Sequence, residues 1–195
     1  MTAYIPPNPA AGSPQLRIWT PRRTPAKTYG GMLDNTVAGG IAAGMGVRET
    51  LVKESAEEAS LPASLVVGGA RAAGAVSYFY ERDWRAGGET GLLQPEVEYV
   101  YDLEVDESVV PRPGDDEVAD FCLMTVDQVG VLRVWGGGGV LFLTGLCRSN
   151  RNWHKGILSP TAHSVCLGPP PSLLCEADGL QCLLYPSLPR PPCDH

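Results

Sequence analysis

The chain has 195 residues, a net charge of −7 and 44% hydrophobic residues, which fits one soluble globular domain with a tail. The acidic balance argues against a nucleic-acid surface built on basic patches. No apolar run reaches the roughly 18 residues of a membrane-spanning helix. The start, MTAYIPPNPAAGSPQL, lacks the basic end and apolar core of a signal peptide, so a cytoplasmic location is the expectation.

In chain order, LRIWTPRR (16–23) alternates as a strand that ends at its Pro-Arg-Arg. MLDNTVAGGIAAG (32–44) reads as a short extended piece and then a flexible loop. RETLVKESAEEAS (48–60) is rich in Glu, Ala, Leu and Lys and predicts a helix. ARAAGAVSYFYERD (70–83) contains a strand with aromatic residues at alternate positions. VEYVYDLEV (97–105) is the clearest strand, with Val97, Tyr99, Tyr101, Leu103 and Val105 on one face and Glu98, Asp102 and Glu104 on the other. VADFCLMTVDQVGVL (118–132) reads as a last strand running into a short helix from Thr125 or Asp127.

The chain then changes character. All but three of its 22 acidic residues precede residue 130, while five of its six cysteines follow it, with GGGG at 136–139 and PPP at 169–171. Gly/Pro punctuation without periodicity reads as loop or disorder. A boundary is expected near residue 130, between a domain at 1–130 and an irregular tail at 131–195 outside the native fold. The cysteines hold no CxxC pair and no zinc spacing, so no metal or disulfide framework is expected, though paired disulfides in a secreted tail stay open.

The chemistry concentrates in GGIAAGMGVRETLVKESAEEASL (39–61). On a helix Glu54, Glu57 and Glu58 stand at i, i+3 and i+4, so their side chains converge. Like charges this close repel by roughly 0.2–0.5 kcal/mol per pair unless they point to water or share a cation. Hard divalent ions take oxygen ligands and bind substrate phosphates as well. Spacing alone describes a solvated helix face equally well. The preceding glycines permit close backbone approach, yet they form neither GxGxxG nor a P-loop.

Residues 39–61 resemble a Nudix box, the family pattern being G, five residues, E, seven residues, REUxEExGU. Gly39 matches the opening glycine, Glu54 the first core glutamate, Glu57 and Glu58 the closing pair, and Leu61 the last aliphatic. Met45 stands where the pattern has its early Glu, Lys53 replaces Arg, Ser55 replaces an aliphatic residue and Ser60 replaces Gly. Residues 15–130 further resemble a Nudix subgroup that includes the domain fused to fungal thiamine pyrophosphokinase and its stand-alone relatives. The segment after Gly130 does not look like the C-terminal helix that closes the sandwich in that subgroup.

The resemblance implies an α/β/α sandwich with a mixed sheet and metal-dependent hydrolysis of a small-molecule diphosphate. The subgroup adds thiamine diphosphate and its oxo and oxy forms as substrates. Mg²⁺ or Mn²⁺ would be held by Glu54, Glu57 and Glu58. Glu54 is the first candidate base and Glu117, in the acidic loop GDDEV (114–118), the second; a solvated turn is the plainer reading of Glu117. Gly39, Gly40 and Lys53 would bind phosphate oxygens. Arg17, Arg22 and Arg23 suit a surface role better than a substrate contact. Tyr78, Tyr80, Tyr99 and Tyr101 offer ring stacking, against the commoner reading of strand aromatics as core. Asp34-Asn35-Thr36 is either a subgroup signature or an Asx-type turn. A non-catalytic Nudix module that binds a nucleotide, and a chain fragment that does not fold, remain open alternatives.

Overall fold

The computed structural model describes residues 1–129 and the strands Thr144–Ser149 and Asn152–Ile157. Five strands form one sheet: β1 (Thr2–Ile5), β2 (Arg17–Arg23), β3 (Arg71–Glu81), β4 (Leu93–Glu104) and β5 (Val118–Thr125), in the order β3-β4-β1-β2-β5. The β1–β4 pair is parallel and the other pairs are antiparallel, so the sheet is mixed as expected. Helices α1 (Val47–Ala59) and α2 (Ala63–Gly69) connect β2 to β3, and α2 packs on β4.

The core joins Ala3 and Ile5 of β1, Trp19 of β2, Leu103 of β4 and Phe121 of β5 to Leu51, Ala59, Leu61 and Val66 from the helices and the turn between them. Burial of such side chains contributes about 1.5–3 kcal/mol each. Thr36 pins the segment before the box to this core. Its buried hydroxyl accepts from the Ala3 amide at 2.8 Å and donates to the Trp19 carbonyl at 2.6 Å. An unpaired hydroxyl there would cost about 1–3 kcal/mol.

The predicted helix at 48–60 is α1, and the predicted strands at 16–23, 70–83 and 118–125 are β2, β3 and β5. Residues 126–129 form the expected helical turn. Two elements escape the sequence reading: β1 is too short and proline-flanked to stand out, and α2 is rich in Val and Gly, both poor helix formers. In β4 the alternation is correct but burial reverses along the strand. Leu103 and Val105 are buried, whereas Val97 and Tyr99 on the same face are more than half exposed. The helices cover only the far end of β4, and the β3–β4 ribbon runs on beyond them.

Cys122 is disulfide-bonded, which corrects the expectation drawn from cysteine spacing. The boundary near residue 130 and the tail beyond it lie outside the described residues, apart from β6 (Thr144–Ser149) and β7 (Asn152–Ile157), which pair antiparallel.

Helix α1 ends at Ser60 in the left-handed conformation, φ 53°, its amide bonded to the Ser55 carbonyl. A side chain in this region costs about 1–2 kcal/mol, and glycine avoids it. This is the box position where the family pattern has Gly. Ser60→Gly is therefore expected to raise the melting temperature by about 2–4 °C for each kcal/mol relieved, read by thermal unfolding.

Candidate functional site

Gly39 begins the site. A Cβ placed on it would overlap Cγ and Cδ of Glu54, so the carboxylate of α1 lies directly against a bare backbone. Both residues line a cavity of about 650 Å³, bounded on one side by the loop 37–41 and on the other by β3 and β4. Glu54 is mostly enclosed, its side chain 18% exposed.

Glu58 sits one turn on and is buried, accepting the Ala38 amide at 2.9 Å. Burial pushes its pKa up to about 8. The Ala38 hydrogen bond opposes the shift, and the charges of Asp34, Glu54 and Glu117 add to it. Glu57 is half exposed and turns instead to Lys53, whose ammonium lies 2.5 Å from Glu57 and 3.2 Å from Glu54. The bonds to Glu57 and then Glu54 hold the Lys53 ammonium above its ordinary range. Ser55 replaces the expected aliphatic residue without harm to packing: it is fully buried and its hydroxyl donates to the Leu51 carbonyl at 2.6 Å.

Other predicted residues distribute unevenly. Gly40 lines the cavity with Gly39 and Glu54, whereas Lys53, Glu57, Glu58 and Glu117 do not. Glu117 is ion-paired to Lys27. Its loop is fastened on two sides: the Thr24 amide donates to the Glu117 carbonyl, and the Arg112 amide donates to the Ala59 carbonyl at the end of α1. At Gly114 the loop backbone touches α1, where a Cβ would overlap the carbonyl oxygen of Glu57.

Among the arginines, Arg17 pairs with Glu107 and Arg22 with Asp120, both away from the cavity. Arg23 lines the cavity and pairs with Asp34 at 2.8 Å. Asp34 is buried and accepts the Asn35 amide, one residue on rather than the two of an Asx turn; burial outweighs that bond and Arg23, raising its pKa.

The tyrosines Tyr78, Tyr80, Tyr99 and Tyr101 all reach the cavity. Sequence reasoning missed their partners. Tyr78 donates toward the carboxylates of Glu96 and Glu98, at 2.6 Å for Glu98. Burial first, then these two carboxylates, carries the Tyr78 phenol far above its ordinary range. Burial raises Glu98 and brings Tyr80 to about 12. The register Tyr78↔Glu96 was available only in principle, because a sequence does not state which strands pair.

The donor chemistry of this region suits a hard divalent cation. Glu58 is a desolvated carboxylate whose acidic neighbours raise its proton affinity, and a cation would relieve that repulsion. Among the described residues, however, no three acidic, His or Cys side chains are already gathered as a metal cage. Glu57 is held by Lys53 instead.

A family model described as NUDIX domain matches residues 12–140. Uncharacterized protein YJR142W of Saccharomyces cerevisiae is 39% identical over 127 residues, covering 62% of this chain and 37% of its own. Nudix hydrolase 20, chloroplastic, and Nudix hydrolase 24, chloroplastic, of Arabidopsis thaliana are each 39% identical over 116 residues, 59% of this chain and 29% and 30% of theirs. The chain spans about a third of the length of these curated relatives. The crystal structure of DR0079 from Deinococcus radiodurans aligns with 71% of this chain and 72% of its own at a TM-score of 0.47 and 18% identity, too distant to support an argument.

The buried carboxylate has a consequence for stability. Its folded pKa lies above the unfolded value of 4.5, so the charged form is disfavoured in the fold. Below pH 4.5 the proton is bound in both states and no penalty exists; between 4.5 and about 8 only the unfolded state ionises, and stability falls as pH rises. Metal-free protein is expected to lose melting temperature across that window, and Glu58→Gln to flatten the loss. Thermal unfolding at a series of pH values, with and without Mn²⁺, measures it; the cation should flatten the slope of the parent.

Proposed function

From the premise that the chain belongs to the NUDIX domain family, we propose that it is a metal-dependent hydrolase of a small-molecule diphosphate. The observation that supports this best is the contact of Glu54 with Gly39 at the edge of the cavity, beside the buried Glu58. Glu54, Glu57 and Glu58 are the residues proposed to hold Mg²⁺ or Mn²⁺, with Glu57 released from Lys53. Such an ion neutralises charge on phosphoryl oxygens and lowers the pKa of a bound water.

The chain's own groups have separate tasks. Glu54 is the proposed acceptor of the proton from the attacking water, being the box carboxylate that faces the cavity. Glu117 is the second candidate, and its pairing with Lys27 counts against it. Backbone amides at Gly39 and Gly40 would orient phosphate oxygens, since neither residue has a side chain to block approach. Lys53, freed from Glu57, would balance phosphate charge. Of these groups only Glu54, Gly39 and Gly40 already meet at the cavity, so positioning there would contribute to rate, whereas Lys53 and Glu57 would have to part first.

The substrate proposed from the subgroup resemblance is thiamine diphosphate or its oxo and oxy forms, cut to the monophosphate and phosphate. The cavity supports a cationic or polarised ring: Tyr80 supplies an aromatic face, and Glu96 and Glu98 on the same side of the ribbon supply negative charge. A module that binds a diphosphate without turnover is the competing reading, and the Lys53–Glu57 pair favours it.

Phosphate release from oxothiamine diphosphate with Mg²⁺ or Mn²⁺ is the decisive assay. The Glu57→Gln/Glu58→Gln double variant is expected to fall to about a hundredth of the parent rate or below, the usual cost of lost electrostatic stabilisation. Binding of the same compound without phosphate release, in protein that still melts cooperatively, would favour the non-catalytic module.

Gly39→Ala tests the cavity separately. It should displace Glu54 and lower kcat more than it raises KM, while the melting temperature changes little because the loop carrying Gly39 is exposed. Steady-state kinetics beside thermal unfolding would separate this from a general loss of fold.

A further inference from the structure

Strand β3 stands at one edge of the sheet, and among the described residues it pairs only with β4. Long edge strands usually carry a charge, a proline or another device against pairing with a further chain. β3 carries no charge and no proline between Ala72 and Tyr80, and its one irregularity, at Ala72–Gly74, lies near its start; its charged residues are Arg71 and Glu81, one at each end.

The sequence RAAGAVSYFYE is complementary to itself when laid antiparallel about Val76. Gly74 and Ala75 then face Tyr78 and Ser77, and the small residues Ala72 and Ala73 lie toward Phe79 and Tyr80, so small residues meet large ones. Arg71 comes to the end where Glu81 lies. Cross-strand pairs of opposite charge and of matched size stabilise sheets, and each such contact occurs twice about a two-fold axis.

Backbone direction agrees with this register. The Val105 amide donates to the Tyr4 carbonyl of β1, so the alternate residues Tyr101, Tyr99 and Val97 turn their backbone groups to the β1 side. Their neighbours Glu98 and Glu96 turn theirs to β3, where they oppose Val76 and Tyr78. The backbone groups of Ala75, Ser77 and Phe79 therefore point away from the sheet. In the Val76-centred register Ala75 opposes Ser77, which is the arrangement in which antiparallel residues exchange both hydrogen bonds. The irregularity between Ala72 and Gly74 moves Arg71 by one place and leaves it at the Glu81 end.

Beside this edge lies exposed apolar surface. Phe79 is 52% exposed, and Val97 and Tyr99 share its face of the ribbon through the Phe79↔Pro95, Ser77↔Val97 and Ala75↔Tyr99 pairs. A second copy would continue that face.

We propose that β3 is a self-association edge, at which a second copy of this chain pairs antiparallel about Val76 and joins the two five-stranded sheets into one. The cation and anion at opposite ends set the direction, and the outward backbone groups of Ala75, Ser77 and Phe79 form the seam.

Sedimentation equilibrium of the full chain over a range of concentrations tests it. A monomer–dimer equilibrium is expected. Ser77→Pro removes an outward amide while leaving the pairing with β4, and should yield monomer. Glu81→Arg places like charges at both ends and should weaken association by about tenfold, and Arg71→Glu/Glu81→Arg should restore it. If Ser77→Pro fails to fold, the charge exchange alone decides. Monomer at every concentration would overturn the proposal. So would a dimer indifferent to Ser77→Pro, or a double variant no better than the single one.

Discussion

Glu58 is a carboxylate with almost no access to water, held by one amide hydrogen bond from Ala38. That bond joins α1 to the segment 34–40, and Thr36 joins the same segment to β1 and β2. The loop ahead of the helix is thereby fixed at its start, although it has few side chains of its own. The acid is kept at a cost: burial and the charges of Asp34, Glu54 and Glu117 oppose its ionisation. A site that concentrates negative charge in this way gains from any cation that enters it. Lys53 already supplies one to the outer pair, Glu54 and Glu57.

Two glycines matter because of what touches them. Gly39 lies under Glu54, and Gly114 lies under the last turn of α1. Neither has a positive φ, so neither is required by backbone conformation. Each is required by close approach, one placing the cavity wall against a carboxylate and the other placing the acidic loop against the helix. Through these two contacts the box helix is set against the loop just before it and against an acidic loop more than fifty residues on. The departures from the family pattern read differently once packed. Ser55 satisfies its hydroxyl within the helix, whereas Ser60 bears a left-handed conformation that suits glycine. Lys53 keeps a positive charge next to the glutamates and spends it on them.

The cavity combines two kinds of surface. Its lining joins the box residues Gly39, Gly40 and Glu54 to tyrosines of β3 and β4 and to Glu96 and Glu98. Tyr78 is bonded to both of those acids, so part of the aromatic lining is held rigidly by the cross-strand register. The relatives it matches are about twice as long as this chain, and the matched part is about a third of each.

The sequence by itself determined the local elements and the box. Helical spacing of Glu54, Glu57 and Glu58, alternation in β3 and β4, and the glycines before α1 are properties of neighbours in the chain, and periodicity reads them directly. β1 and α2 were not legible, because a short strand beside prolines and a Val/Gly-rich helix carry too little local signal and exist through packing. The tertiary structure alone decided which glutamate is buried, which faces the cavity and which is held by Lys53. It also decided that Glu117 pairs with Lys27, and that the acidic face of β4 is more enclosed than Val97 and Tyr99. These outcomes depend on strand order, register and the reach of the helices across the sheet. Such contacts join residues tens of positions apart, and no local pattern records them.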